Sequence, residues 1–451
     1  MQLCFLANQI DVLEVNCELI EEDFYSLFVE KLGQSVAKLP PRNKPDEWAM
    51  KSYLNEWHEF NAITDPDACI VSCDGSMGTS VFSGGLEALV VRAVAHIRPK
   101  NGKMVSIPNV EVPIDYDLGG NAIFMKTVEL ETLAQAIEKA SANSGKVFAV
   151  YDGNLSLFLP SRYIQNIQAL AKDFERHVKA LTRCFKLVSA GRLELVGISK
   201  DSKVTYLRAR LIIDALLRSR PDLTEMMRRA QRSLKLITKR LDEILDSEGA
   251  NSSLRPYLNE LKQPISDEGL YGELATEAGY TTPLLLGPQT RFAFYFASKT
   301  QQPTDWWKSP FREMLGRNVE LEGLRASLDE LYSQPPTAIS YWKNRPNPST
   351  YRLDIPSALL GQEMRTGDMN ENRLGDETAI KLIGDIIAKL NWLSRVENAI
   401  SPLTEVDAVV RLDRRLYNSS YEPLIMDELK RKGHNVRLTK RRIRDYVQRG
   451  Y

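Results

Sequence analysis

The chain has little chemistry of the sulfur and imidazole kind. Among 451 residues there are five cysteines and four histidines. Cys4, Cys17, Cys69, Cys73 and Cys184 form no Cys-x-x-Cys pair, which argues against a zinc ribbon or a disulfide framework. An odd cysteine count without such a framework fits a reducing compartment and predicts a cytoplasmic location. His58, His96, His177 and His434 make no helical metal pair and no Ser-His-Asp arrangement, so zincin-like and triad hydrolases are excluded. No run of 18 apolar residues is present, and no membrane span is expected. Met1–Asp11 lacks a basic n-region and carries an acid early, so it does not read as a signal peptide. Neither sign of charge dominates: 59 Lys and Arg face 59 Asp and Glu. Any attraction to nucleic acid must therefore come from local patches. Gly84-Gly85 is not followed by the Lys-Ser/Thr of a P-loop, which removes the case for ATP binding. There are no internal repeats.

What is present is a soluble-protein composition, 43% hydrophobic and 26% charged, and enough chain for two or three domains. Residues 1–65 read as helical, with apolar positions at Phe24, Leu27, Phe28 and Leu32. Pro40-Pro41 to Pro45 breaks the pattern, and Trp48, Tyr53, Trp57 and Phe60 lie on a second helix. Residues 66–215 mix strand-like runs (Cys69–Cys73, Ile107–Val112, Val147–Val150, Leu193–Ile198) with helices, as an α/β layered core does. Leu86–Ala95 fits strand or helix. Residues 216–335 form a helical or inserted region, with 246–280 as a polar loop. An arginine-rich stretch from Arg208 to Arg240 reads either as a salt-bridged helical surface or as a phosphate-contacting one. Residues 336–451 return to the core, with strands at Ala338–Trp342 and Thr350–Ile355, a helix near Glu377–Ser394, and a basic tail. Arg291–Ser298 is a further strand-like run.

Three strand ends carry polar signatures: Val71-Ser72-Cys73-Asp74-Gly75-Ser76, Val150-Tyr151-Asp152-Gly153-Asn154-Leu155 and Gly197-Ile198-Ser199-Lys200-Asp201-Ser202. A lone Asp-Gly is a common turn pair. Two apolar strands that both end in Asp-Gly say more. If the strands are neighbours, Asp74 and Asp152 meet at one sheet edge. Carboxylates about 4–5 Å apart repel, and divalent cations relieve that repulsion. Paired ions of this kind promote phosphodiester cleavage.

These elements resemble the NurA family of nucleases, partners of the hexameric HerA DNA translocase. Five pieces match in order: Asp74-Gly75-Ser76 with Ser83-Gly84-Gly85, Asp152-Gly153-Asn154-Leu155, Gly197 to Ser202, Tyr351-Arg352-Leu353-Asp354-Ile355-Pro356, and Pro402-Leu403-Thr404-Glu405-Val406-Asp407. The resemblance implies an RNase H-like mixed sheet flanked by helices. It implies Asp74 on the central strand, Asp152 beside it, and an additional helical Glu for which Glu129 and Glu131 fit equally well. Asp74, Asp152 and Asp407 are the implied ligands of Mn²⁺ or Mg²⁺, two ions in all.

Two departures are evident. Asp407 stands where the family often has His, and Ala399 where it has Tyr. All-oxygen ligation would favour Mg²⁺ or Mn²⁺ over softer metals. Lys200 would stabilise charge at the scissile phosphate, or pair with Asp201 or another acid. Arg352 would contact DNA or hold a catalytic carboxylate as an ion pair. Ser76, Asp201 and the basic residues Arg437, Lys440, Arg441, Arg442 and Arg444 are the remaining DNA-binding candidates. The tail could equally be a solvated helix packed through Leu438, Ile443 and Val447.

The expected activity is 5′→3′ exonuclease and single-strand endonuclease action on DNA. A homodimer would dock on a HerA-type ATPase through Phe24, Leu27 and Phe28, in end processing or antiviral defence. The competing expectations are a degenerate DNA-binding subunit of such a complex and an RNase H-like enzyme acting on RNA or hybrids.

Overall fold

The computed structural model describes residues 24–38, 44–116, 118, 121–156, 167–229, 234–249, 252–286, 322–346, 350–366, 373–394 and 400–439. The chain forms two compact units, Met1–Pro45 and Asp46–Tyr451. In the first, residues 24–36 form helix α1, on which Phe24, Leu27, Phe28 and Leu32 are all exposed.

The second unit opens with helix α2 (Glu47–Leu54) and is built on one sheet. Its strands are β1 (Trp57–Glu59), β2 (Cys69–Val81), β3 (Glu87–Arg98), β4 (Val105–Glu111), β5 (Ile114–Asp115), β6 (Val147–Asp152), β7 (Leu193–Ser199), β8 (Gly279–Thr281), β9 (Leu284–Leu285), β10 (Thr337–Lys343) and β11 (Tyr351–Pro356). Their order is β1-β8-β10-β11-β7-β6-β2-β3-β4, with β5 beside β3 and β9 beside β10. β2, β3 and β4 form an antiparallel meander, and β6 and β7 extend β2 in parallel. This is the expected RNase H-like arrangement, with Asp74's strand central and Asp152's strand next to it. Parallel strands need crossover connections. Helices α3 (Asn121–Asn143) and α4 (Ile167–Ser189) lead into β6 and β7 and supply them.

The strand alternation sorts side chains onto two faces. Cys69, Val71 and Cys73, with Val147, Ala149 and Tyr151, pack against α3, α4 and the later helix Glu322–Tyr332. Ile70, Phe148 and Val150 pack the other way, against the helices Glu377–Leu393 and Ser401–Val410. Apolar residues cover both faces, which explains why the β2, β6 and β7 runs are nearly continuous in Val, Ile, Leu, Ala and Cys.

Five helices, α5 (Tyr206–Ser219), α6 (Thr224–Arg229), α7 (Leu234–Glu248), α8 (Arg255–Lys262) and α9 (Asp267–Leu274), surround a second core at the β10 side. The remaining helices are α10 (Glu322–Tyr332), α11 (Glu377–Leu393), α12 (Ser401–Val410) and α13 (Glu422–Arg431). The start of α11 is fixed by Asp376, whose carboxylate accepts the Ala379 N–H at 2.8 Å.

Several expectations are corrected. Leu86–Ala95 lies largely in a strand, β3. The polar stretch 246–280 holds α8, α9 and β8 rather than a loop. Trp57 lies on a strand, not a helix, and pairs with Thr281. β1, from the expected N-terminal region, belongs to the sheet. β8 and β9 pair with β10, so the 216–335 region is not a detached insertion. In the arginine-rich stretch, Arg210 pairs with Asp214, Arg220 with Asp222 and Glu248, and Arg240 with Glu243, in line with the salt-bridged reading at these three positions. Arg291–Ser298 lies outside the described residues.

Candidate active site

Asp74 and Asp152 come together through register. Cys73 lies opposite Tyr151 in the parallel β2–β6 pair, so the next residue of each strand is an aspartate at the same sheet edge. Even-numbered residues of both strands face α12, and Asp407 lies on α12. The charges of Asp152 and Asp407 both act on Asp74. Burial is the main cause that raises the Asp74 carboxyl to about 6; the Gly75 N–H, donating to its Oδ1 at 2.8 Å, and the Lys200 charge oppose the rise.

Glu129 enters from the opposite face. It lies on α3, is 3% exposed, and accepts a 2.9 Å hydrogen bond from the Tyr151 hydroxyl. Gly75 makes this approach possible: a Cβ on Gly75 would lie 2.5 Å from Glu129 Cγ and 2.8 Å from Cδ. Burial raises the Glu129 carboxyl to about 8; the Tyr151 hydrogen bond opposes this, and the charges of Asp74 and Asp152 add to it. The sheet edge thus has a bare glycine where an acid from the helix layer must reach through.

Glu131 is turned away. It pairs with Arg176 of α4, which also holds Glu111 of β4. Residues two apart on a helix point about 200° apart, so α3 can present Glu129 or Glu131 to the sheet edge, not both. The geometry separates the two candidates and leaves Glu131 in a structural ion-pair network.

Lys200 donates to Asp152 Oδ2 at 2.7 Å from the turn after β7. Desolvation works against the charged ammonium, but the Asp152 hydrogen bond and charge, with Asp74's charge, raise its pKa on balance. Asp201, at φ +56°, is exposed, and its N–H and that of Ser202 donate to Glu268 at 3.1 and 2.6 Å. Glu268 therefore fixes the turn that carries Lys200. Ser76 Oγ accepts the Leu412 N–H at 2.9 Å, which ties β2 to the chain leaving α12.

Arg352 holds a carboxylate that is not among the candidate catalytic acids. Its side chain is 2% exposed and forms a two-pronged ion pair with the fully buried Asp354: Nε to Oδ1 at 2.8 Å and Nη2 to Oδ2 at 3.0 Å. Asp354 also accepts the N–H groups of Leu155 and Ser156 at 3.1 Å each. Arg352 thus holds the carboxylate that anchors the loop after Asp152. That loop passes over Gly197, where a Cβ would lie 2.6 Å from the Gly153 carbonyl oxygen.

Arg437 is exposed where the chain pairs with the tip of the β2–β3 hairpin: Phe82 bridges Leu438, and the Ser83 N–H donates to the Arg437 carbonyl at 2.8 Å. Lys440, Arg441, Arg442, Arg444 and Ala399 lie outside the described residues. Tyr151, Asp354 and Glu268 are the supporting residues that sequence reasoning missed. Tyr151 carries a readable signal, since alternation next to Asp152 points it at the helix layer. Glu268 carries none, being 67 residues from the N–H it accepts.

Among the described residues, no three His, Cys, Asp or Glu side chains close around a common point. The donor set is nevertheless suited to a hard divalent ion. Asp74, Glu129, Asp152 and Asp407 offer oxygen alone. Two of them carry pKa values raised chiefly by burial, and a cation beside them would favour their charged forms.

Solved structures similar to this chain include three of NurA. The NurA nuclease from Sulfolobus solfataricus is 12% identical, with a TM-score of 0.46; 91% of this chain and 98% of that one are covered. A second NurA structure is 14% identical with a TM-score of 0.39, covering 90% of this chain and 96% of the other. A third, NurA with manganese, is 15% identical with a TM-score of 0.38, covering 89% and 98%. No family model and no curated protein matches the sequence.

Proposed function

We propose that this chain is a divalent-metal-dependent deoxyribonuclease of the NurA type. The observation that carries the reading is the meeting of Asp74 and Asp152 at one sheet edge, with Glu129 reaching them past Gly75. Asp74, Glu129 and Asp152 would hold the ions, Mn²⁺ or Mg²⁺, with Asp407 as a further ligand. When bound, such ions supply Lewis acidity and a nucleophile at neutral pH.

The chain's own residues do the positioning. Tyr151 fixes the Glu129 carboxylate through its hydroxyl. The Arg352–Asp354 pair fixes the loop that follows Asp152. Lys200, 54% exposed at its side chain, is placed to meet a phosphate oxygen while it restrains Asp152. An ammonium preset at this point would favour charge that develops on the phosphate.

The finer reading is 5′→3′ exonuclease and single-strand endonuclease action by a cytoplasmic homodimer coupled to a HerA-type hexameric ATPase. Its settings would be DNA end processing, repair or antiviral defence. The exposed Phe24, Leu27 and Phe28 of α1 support a docking role for that helix. Free, buried Cys69, Cys73 and Cys184 agree with a reducing compartment. No helix among the described residues is long and apolar enough to cross a membrane.

One observation favours a second reading, a degenerate DNA-binding subunit: Asp152 is already engaged by Lys200. Incubation of the purified protein with linear duplex and single-stranded DNA, in Mn²⁺, Mg²⁺ or EDTA, separates the two. Metal-dependent loss of substrate is expected. Binding without cleavage in every metal, even with the ATPase present, would leave the subunit reading.

A further inference from the structure

The face of β2 that carries Asp74 continues through Ser76, Gly78, Ser80 and Phe82 to the hairpin tip. One stretch of chain covers it step by step. Leu412 donates to Ser76 Oγ at 2.9 Å. The Tyr417 ring lies on Gly78, where a Cβ would be 2.5 Å from its Cε2. Ser80 Oγ meets the Tyr417 hydroxyl at 2.9 Å and Glu422 Oε1 at 2.6 Å. Phe82 packs with Leu429, Val436 and Leu438. Residues 411–438 thus run outward along β2, from beside Asp74 to the tip. The six residue-to-residue steps from Ser76 to Phe82 span about 20 Å.

The outer surface of this cover is basic. Arg411, Arg415, Lys430, Lys432 and Arg437 are all exposed. Three of the four acids in the stretch are occupied. Glu422 is buried on Ser80, Asp413 accepts the Leu416 N–H at 2.7 Å, and Glu428 pairs with Arg431. Asp427 is the fourth acid, and it is exposed. A net positive rim that starts at an acidic centre and leads away from it suits a polyanion whose reacting phosphate sits at the acids.

We infer that residues 411–438 form a phosphate track that holds a DNA strand along β2, from Asp74 to the hairpin tip. At one phosphate per about 3.4 Å per strand of duplex, 20 Å corresponds to about six phosphates. The inference rests on the nuclease reading for what happens at Asp74, but the track itself is a binding property.

The test uses the full-length protein in EDTA, so that no turnover occurs. Anisotropy of a fluorescein-labelled 30-nucleotide single strand is titrated over a KCl series. The probed variant is Arg411→Ala/Arg415→Ala/Lys430→Ala/Lys432→Ala, and Arg411→Lys/Arg415→Lys is the charge-keeping control. Each lost contact on a single strand lowers the salt slope by about 0.7. The quadruple variant should lose about 2–3 from that slope and at least about tenfold in affinity, with an unchanged thermal midpoint. The Lys control should keep both.

Wild-type slope and affinity in the quadruple variant would overturn the track, as would an equal loss in the Lys control. A parallel Mn²⁺ cleavage assay on wild type separates the two ideas. Cleavage with an unchanged slope in the quadruple variant removes the track and leaves the nuclease. The full slope loss without wild-type cleavage removes the nuclease and leaves the track.

Discussion

Glu129 lies against the bare Cα of Gly75, in the space that a side chain at that position would fill. The contact joins the helix layer to the sheet edge, and it can form only if residue 75 has no Cβ. In Gly75→Ala the new methyl would press on Glu129 Cγ and Cδ, so the carboxylate must leave its place. Overpacking of this kind costs about 1–3 kcal/mol. Metal-dependent cleavage should fall far more than stability does. Comparison of the thermal midpoint with the cleavage rate checks this, and near-wild-type cleavage would show that Glu129 is not needed where it sits.

The raised pKa of Glu129 gives a pH signature. Its carboxyl stands at about 8 in the folded chain against an ordinary 4.5. A pKa raised on folding contributes stability that is fully present below about 4.5 and is lost as pH rises through about 8. Without metal, wild type should therefore lose stability relative to Glu129→Gln across that window. The relative change is on the order of 3–5 kcal/mol. Denaturant melts of both proteins in EDTA at pH 5 and pH 9 measure it. Parallel profiles would contradict the burial of an ionisable Glu129. Glu131→Gln, in the Arg176 network, should leave both the window and the cleavage rate close to wild type.

Arg352 should behave as a structural residue. Arg352→Ala leaves Asp354 buried without its cation, a change that costs about 3–5 kcal/mol. Because Asp354 holds the Leu155 and Ser156 N–H groups, the loop beside Asp152 loosens as well. The salt slope of DNA binding should not change, since no phosphate contact is lost. A drop in that slope of about 0.7, with a wild-type melting midpoint, would restore Arg352 as a DNA contact.

Asp74 and Asp152 were legible because each closes an apolar run, and a charge at the end of a buried strand needs a reason. The alternation within those runs even assigns their face. Glu129 and Glu131 could not be told apart, because the choice depends on the rotation of α3 about its axis, which Gly75 and Arg176 decide from distant parts of the chain. The Arg352–Asp354 pair was visible as two charges on one strand face. Its burial was not, since that follows from β7 and the 153–156 loop closing over it. The helices of 255–274 were passed over for their polar composition, although Pro256 and the capping Ser266 mark their starts.

The central claim is that the carboxylates at this sheet edge perform metal-dependent phosphodiester cleavage. Asp74→Asn keeps the shape of the side chain and removes its charge. Its cleavage of single-stranded and linear DNA, measured beside wild type in Mn²⁺, should fall by about 10³-fold or more, equivalent to about 4 kcal/mol of barrier. DNA binding in EDTA should persist. Equal cleavage by Asp74→Asn and wild type, or none by wild type in any divalent metal, would contradict the account.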